Sequence, residues 1–352
     1  FVAERSADKM RLVIAGSHGK TTTTAMVMHI LQHQGMDFDY LVGSKLDGFE
    51  LMVRLSDAPI IVIEGDEYLS SALDLNPKFL WYKPHVSVIT GIAWDHINVF
   101  PTYEQYVHQF ERFIDTLPEA AAVYYYGPDQ DLSDLFKPDK PIIAEAYETP
   151  EFRVTDQGAV VTVNGHDYPM QVFGAHNFAN MQGAVRMVGE LEISEEDAWK
   201  ALSTFKGTAR RLEKMNIPNI LAYKDFAHSP SKVKATVEAV RSMYPEKSLV
   251  AALELHTFSS LNKDFIPHYN GTMNQADRAF VHYNPHVLEM KSMPDLPEGY
   301  VQEQLGNVQV ITKVEELKNQ IAQQPPENAV YLFMSSGNWA GTDWVEVLRK
   351  RD

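Results

Sequence analysis

Two rhythms of apolar residues run through the first third of the chain. Arg11–Ala15, Ile60–Ile63 and Val86–Thr90 are short, nearly unbroken apolar runs, the pattern of strands buried on both faces. Thr21–Gln34 instead places Met26, Ile30 and Leu31 at helical spacing, with Gly35 as a natural stop. Tyr103–Leu117 reads as an amphipathic helix. Strands alternating with helices predict a mostly parallel α/β sheet. The pattern then changes. Phe152–Thr155, Ala159–Val163 and Tyr168–Phe173 alternate around Gln157-Gly158 and Asn164-Gly165, which predicts a small antiparallel meander. Helices are expected over Asn177–Leu191 and Ser194–Phe205, the second opened by a capping-box-like Ser194-Glu195-Glu196-Asp197. Lys206–Arg211 reads as a hinge. Beyond it, strands at Ile220–Tyr223, Ser248–Leu253, Arg278–His282, Val308–Ile311 and Ala329–Phe333 alternate with helices at Ser231–Met243, Val314–Gln323 and Trp344–Arg349. The expected organisation is one α/β domain over 1–208 and a second over 209–352.

Composition narrows the possibilities. Of 352 residues, 45% are hydrophobic and 22% charged, enough apolar material for sizeable cores. The net charge of −16 disfavours nucleic acid and anionic membranes as partners, so cations that bind anionic ligands must be concentrated locally. With no cysteine, disulfides, thiolate catalysis and cysteine-based zinc sites are excluded, and a reducing, cytoplasmic setting is the expectation. No run approaches the ~18 apolar residues of a membrane span, so no membrane insertion is expected. Phe1-Val2-Ala3-Glu4-Arg5 is not the start of a signal peptide and lacks an initiator Met; the expectation is a chain that begins partway through a longer protein.

The chemistry concentrates after the first strand. Gly16-Ser17-His18-Gly19-Lys20-Thr21 is a glycine turn feeding a helix, where backbone N–H groups and the helix dipole hold phosphate oxygens. Lys20 would reach β- and γ-phosphates, and Thr21 would ligate Mg²⁺. The loop is shorter than the usual G-x-x-x-x-G-K-[ST], and its ordinary reading is a plain strand–helix turn. Glu64 ends a buried strand, as an Mg²⁺-holding carboxylate does; the alternative is a solvated acidic turn, the expectation for Asp66 and Glu67. His96 of Asp95-His96 is a candidate metal ligand or a surface histidine. Asn177 and Asn180, on one helical face, suit an adenine edge, although Asn177 could equally cap the helix. Arg211, in Arg210-Arg211, presents a fork to phosphate or forms a solvated ion pair. Asp225 could accept from ribose hydroxyls or cap the helix at Ser231. Tyr124-Tyr125-Tyr126 and the methionines read as core, and His282 and His286 lack metal-ligand spacing.

In order, GSHGKTTTT, IEGDEY, DH, HNFAN, RRLE and DFAHSP resemble the Mur ligases, and most closely their muramate-specific branch. The resemblance spans nearly the whole chain. It implies a central ATP-binding domain, with a mostly parallel sheet and an antiparallel meander, followed by a Rossmann-like C-terminal domain for the incoming amine. The family's N-terminal UDP-sugar domain would be missing, since the phosphate loop begins at Gly16. The implied reaction is ATP-dependent amide formation between UDP-N-acetylmuramate and a peptide or amino acid through an acyl-phosphate, with ATP and Mg²⁺ as cofactors. Carried over, Gly16, Ser17, His18, Gly19, Lys20, Thr21 and Thr22 cradle the nucleotide. Thr21, Glu64 and His96 serve the metals, Asn177 and Asn180 the adenine side, and Arg211 and Asp225 reach the nucleotide from the C-terminal domain. Lys20, Glu64, His96 and Arg211 carry the catalysis.

Departures bear on the acceptor more than on ATP. Gly91 and Ala93 stand where the family often has Asn and Glu, Lys224 replaces an acidic residue, and Ser229 replaces a histidine. No lysine lies between His96 and Lys137, so a carbamylated lysine is not expected. Leu253-Glu254-Leu255-His256-Thr257 fits neither substrate signature well, whereas Met334-Ser335-Ser336-Gly337-Asn338 is nearer to the peptide-adding members.

Overall fold

The computed structural model describes residues 1–46, 48–136, 141–323 and 328–349. Lys137 lies outside them. The chain divides into two compact units, Phe1–Thr208 and Ala209–Asp352.

In the first unit, seven strands among the described residues form the main sheet: β1 (Met10–Ala15), β2 (Phe38–Leu41), β3 (Val53–Arg54), β4 (Ile60–Glu64), β5 (Val86–Ile89), β6 (Ala122–Tyr126) and β7 (Ile143–Tyr147). Their order is β3-β2-β4-β1-β5-β6-β7, parallel except for the β2–β3 pair. Successive residues of a strand face opposite sides. Val13 and Ala15 of β1 thus join Ile61 and Ile63 in a core covered by the helix Tyr103–Asp115, whose Phe110 and Phe113 are fully buried. Burial of each such ring contributes about 1.5–3 kcal/mol. The helix Lys20–His33 is buried nearly all round, because the helices Ala175–Gly189 and Glu195–Leu202 pack on it. Apolar residues all round, rather than one stripe, follow from that position.

A buried ion pair ties the lower ends of these strands. Lys9 Nζ lies 3.0 Å from Asp39 Oδ2 and donates to the carbonyls of Ser56 and Ala58 at 2.8 and 2.6 Å. Asp39 also accepts from the Ser56 N–H and hydroxyl. Burial acts to raise the Asp39 carboxyl, but those hydrogen bonds and Lys9 outweigh it and hold it below its ordinary value.

The meander follows as β8 (Glu151–Thr155), β9 (Gly158–Val163) and β10 (His166–Met170), all antiparallel. Its third strand starts earlier than expected and stops at Met170. Asn164 and Gly165 both take positive φ, 50° and 77°, the geometry of a tight two-residue hairpin turn. Ser194 caps its helix by accepting from the Asp197 N–H. Asp197 differs from a capping-box residue in that its carboxylate takes the Ser194 hydroxyl.

In the second unit, β11 (Glu213–Lys214), β12 (Leu221–Asp225), β13 (Ser248–Glu254), β14 (Arg278–His282), β15 (Gln309–Ile311) and β16 (Ala329–Met334) are ordered β11-β12-β16-β13-β14-β15. All pairs but β11–β12 are parallel. The expected mostly parallel α/β architecture with an antiparallel meander is observed.

Candidate functional site

At the carboxyl ends of β1, β4 and β5, backbone turns bring the polar residues of the first unit together. Such ends border the crevice where open α/β sheets bind ligands. Gly16 follows β1 at φ 126°, and a β-carbon there would stand 2.2 Å from Thr90 Oγ1. The loop can lie that close to the end of β5 only because Gly16 has no side chain. The Ser17 N–H donates to the Gly91 carbonyl at 2.9 Å, and the Ala93 N–H donates to Ser17 Oγ at 2.8 Å. Backbone groups of Gly91 and Ala93 thus brace the loop. The Thr90 hydroxyl donates to the His18 carbonyl. Gly19, at φ 77°, caps the helix Lys20–His33, and its carbonyl accepts from the Thr23 N–H.

Lys20 and Thr21 therefore open a helix whose first N–H groups have no partner within the helix and whose dipole favours an anion. The Thr21 hydroxyl donates to Glu64 Oε1 at 2.8 Å, and Glu64 Oε2 accepts from the Gly43 N–H at 2.8 Å. Lys20 Nζ donates to the Gly16 carbonyl at 2.6 Å and to Glu67 Oε2 at 2.5 Å. Burial acts to lower the Lys20 ammonium, but Glu67, helped by Asp66 and Glu64, outweighs it and raises its pKa.

Glu67 corrects the expectation of a solvated side chain: it is completely buried. Gly65 explains the inward turn. Its N–H donates to the Ile14 carbonyl at 2.7 Å, and a β-carbon there would stand 2.8 Å from Val13 Cγ1. The chain after β4 so hugs β1 and delivers Glu67 beneath the loop. Tyr106 donates to Glu67 Oε1 at 2.9 Å and lies 2.7 Å from Ser17 Oγ. Burial, then Glu67, pushes the Tyr106 hydroxyl well above its ordinary value, so it stays a donor. Asp66 is half-buried and pairs with Lys78 at 2.6 Å. Glu67 and Tyr106 are what the sequence reading missed. The signal was Gly65 directly after a buried strand.

His96 Nε2 lies 3.6 Å from Glu67 Oε1, and the backbone of His96 is left-handed at φ 55°. Non-glycine residues in that region often mark functional sites. Asn180 abuts the loop: a β-carbon at Gly19 would stand 2.4 Å from its Oδ1. Asn177 does not cap the helix, which Gly174 does; its amide donates to the Phe173 carbonyl at 2.7 Å. Thr22 is buried in the helix's first turn.

Among the described residues no three His, Asp or Glu side chains converge as a ready-made metal cage. Mg²⁺ needs none, since it is commonly held by one or two protein oxygens together with substrate phosphates and waters. The Thr21–Glu64 oxygen pair beside the loop fits that donor set.

In the second unit Asp225 ends β12, beside Met334 of β16 in register. Its two oxygens accept from the N–H groups of Leu212 and Ala227, each at 2.6 Å. It does not cap the following helix; Ser229 stands at that position. Arg211 stacks over the Phe226 ring at 4.7 Å, and Arg210 lies over the same ring while donating to the Ser335 and Gly337 carbonyls. The segment Met334–Asn338 wraps the buried carboxylate of Glu254, which takes the Ser335 hydroxyl and accepts from the Trp339 N–H at 3.0 Å. Lys224 pairs with Glu213 at 2.9 Å.

Residues 14–188 match the Mur ligase middle domain. The UDP-N-acetylmuramate–L-alanyl-γ-D-glutamyl-meso-2,6-diaminoheptandioate ligase of Haemophilus influenzae is 28% identical over 348 residues, 95% of this chain and 75% of the relative. The UDP-N-acetylmuramate–L-alanine ligase of Desulfitobacterium hafniense is 26% identical over 359 residues, 96% of this chain and 77% of the relative. The solved UDP-N-acetylmuramate-alanine ligase of Thermotoga maritima shares the fold at a TM-score of 0.70 and 20% identity, over 99% of this chain and 76% of that one.

Proposed function

The chain belongs to the Mur ligase family through its middle domain, residues 14–188, and from that premise we propose that it is the ATP-dependent ligase joining UDP-N-acetylmuramate to a peptide of the L-alanyl-γ-D-glutamyl-meso-diaminopimelate type. The observation that carries the ATP half is the pair of contacts Lys20–Glu67 and Thr21–Glu64 at the opening of one helix. The peptide half rests on the Met334–Asn338 segment and on the Haemophilus relative, whose name states that substrate.

The reaction has two displacements. A carboxylate oxygen of the sugar acid attacks the γ-phosphorus and ADP leaves. The amine then attacks the acyl carbon, phosphate leaves, and the nitrogen gives up a proton. The chain's work is positioning and charge neutralisation. N–H groups at the helix opening and the Lys20 ammonium hold the phosphates. Thr21 and Glu64 would hold Mg²⁺, which neutralises phosphate charge when bound; His96 is the proposed ligand of a second ion. Asn180, which abuts the loop at Gly19, and Asn177 are proposed to serve the adenine side. Arg211 and Asp225 are proposed as nucleotide-contacting residues.

The Desulfitobacterium relative favours a second reading in which L-alanine is the amine. The test is ADP release with the UDP-sugar acid plus tripeptide, plus L-alanine, or alone. Release that needs both the acid and the tripeptide is the expected result. Faster release with L-alanine moves the assignment to the second reading. Nucleotide binding with no amide from either amine leaves a binding module and removes the ligase proposal.

A further inference from the structure

Glu67 is absent from the nucleotide-holding set above, and its surroundings give it a task. Its carboxylate is held from three sides: by Lys20 at 2.5 Å, by the Tyr106 hydroxyl at 2.9 Å, and with His96 Nε2 at 3.6 Å. Tyr106 also reaches Ser17 Oγ, so the carboxylate is anchored to the phosphate loop and to the helix Tyr103–Asp115 together. An ammonium has three donors. In this structure one is on the Gly16 carbonyl and one on Glu67. One remains, whereas bridging the β- and γ-phosphates takes two. A triphosphate that engages Lys20 fully must therefore displace one of these two partners, and its phosphates approach the ammonium against the repulsion of the buried Glu67 anion.

We propose that Glu67 is a positioning residue that competes with the triphosphate for Lys20, holding the ammonium in place when the loop is free and limiting how tightly phosphates are gripped. The inference rests on the ATP-binding reading above. It gives the fully buried Glu67 a counter-ion in the free protein, where an unpaired charge would be strongly destabilising. It also predicts a sign that a purely structural role does not: removing the Glu67 charge tightens nucleotide binding while it loosens the fold.

The test compares wild type with Glu67→Gln and Glu67→Asp, by calorimetry with magnesium-ATP and no acceptor, thermal melting, and steady-state kinetics. Glu67→Gln is expected to melt earlier when free and to lower the Kd for magnesium-ATP about tenfold, the scale of one charge-assisted hydrogen bond. KM for ATP and kcat should both fall, because nucleotide is held harder in the ground state. Glu67→Asp, still anionic but drawn back, should lower Kd by a smaller factor, about threefold, and it decides the matter if the glutamine variant does not fold. A Kd that rises or stays put in the folded variants, with wild type binding normally, overturns the proposal. Wild type that binds no magnesium-ATP is a separate outcome: it removes the nucleotide reading itself.

Discussion

Lys20 and Glu67 neutralise each other where little water reaches, and each is a liability without the other. Lys20→Ala is expected to lower turnover by about a thousandfold or more, as loss of a preorganised charge on a transferring phosphoryl group does. It should also lower the melting temperature, because Glu67 is left buried and unpaired. The double variant Lys20→Ala/Glu67→Gln should recover melting temperature but not turnover, a non-additivity that a thermodynamic cycle measures. Full additivity would mean that the pair is not energetically coupled. The pH dependence follows from the raised Lys20 value. A group raised on folding contributes in full below its ordinary value of 10.5 and loses that contribution as pH rises through the higher folded value. The melting-temperature gap between wild type and Lys20→Ala should thus stay level from about pH 7 to about pH 9 and close only in strong alkali.

At the scale of elements, the loop depends on what its glycines lack. Gly19→Ala would set a methyl 2.4 Å from Asn180 Oδ1 at a left-handed φ. A loss of about 1–3 kcal/mol in chemical denaturation is expected, with weaker magnesium-ATP binding. Gly19→Ala/Asn180→Ala should relieve the clash and leave the backbone strain. The Lys9–Asp39 pair joins the start of β1, strand β2 and the Ser56–Ala58 turn. Asp39→Ala should cost about 3–5 kcal/mol by stranding Lys9. Since Asp39 is lowered on folding, its contribution is present above the ordinary value of 3.8 and is lost as pH falls through the lower folded one. The variant's denaturation curve should therefore approach the wild-type curve only in strong acid.

Elements with a clear apolar rhythm were legible from sequence. Arg278–His282, Val314–Gln323 and Trp344–Arg349 fall where the pattern put them. Edge strands were not. Ile143–Tyr147 is exposed along most of its length, and Val53–Arg54 is two residues long, so neither carries a burial pattern. Tyr124-Tyr125-Tyr126 was read as core without its strand, because aromatic runs fit either element. At the site, Thr21 and Glu64 were legible because each sits at the end of a recognisable element. Glu67 was not. Its burial is decided by Gly65 lying against β1, a contact between segments distant in sequence.

For the molecule as a whole, a net charge of −16 surrounds a site proposed to take anionic ligands. Long-range repulsion should slow their approach at low ionic strength, and salt should relieve it until local attraction is screened as well. The association rate for magnesium-ATP in stopped flow is expected to rise over the first ~0.1 M of added salt. A rate that falls steadily from the lowest salt would indicate that local cations dominate the field. Both main sheets place their notable polar residues at the carboxyl ends of parallel strands: Glu64 in the first, Asp225 and Glu254 in the second.

The exposed turn between β9 and β10 offers a practical opening of another kind. Asn164 and Gly165 make a tight hairpin in a ladder separate from the main sheet, and the chain has no cysteine of its own. One cysteine installed at that tip would be the sole thiol in the chain, a single addressable position for a fluorophore, a spin label or attachment to a surface.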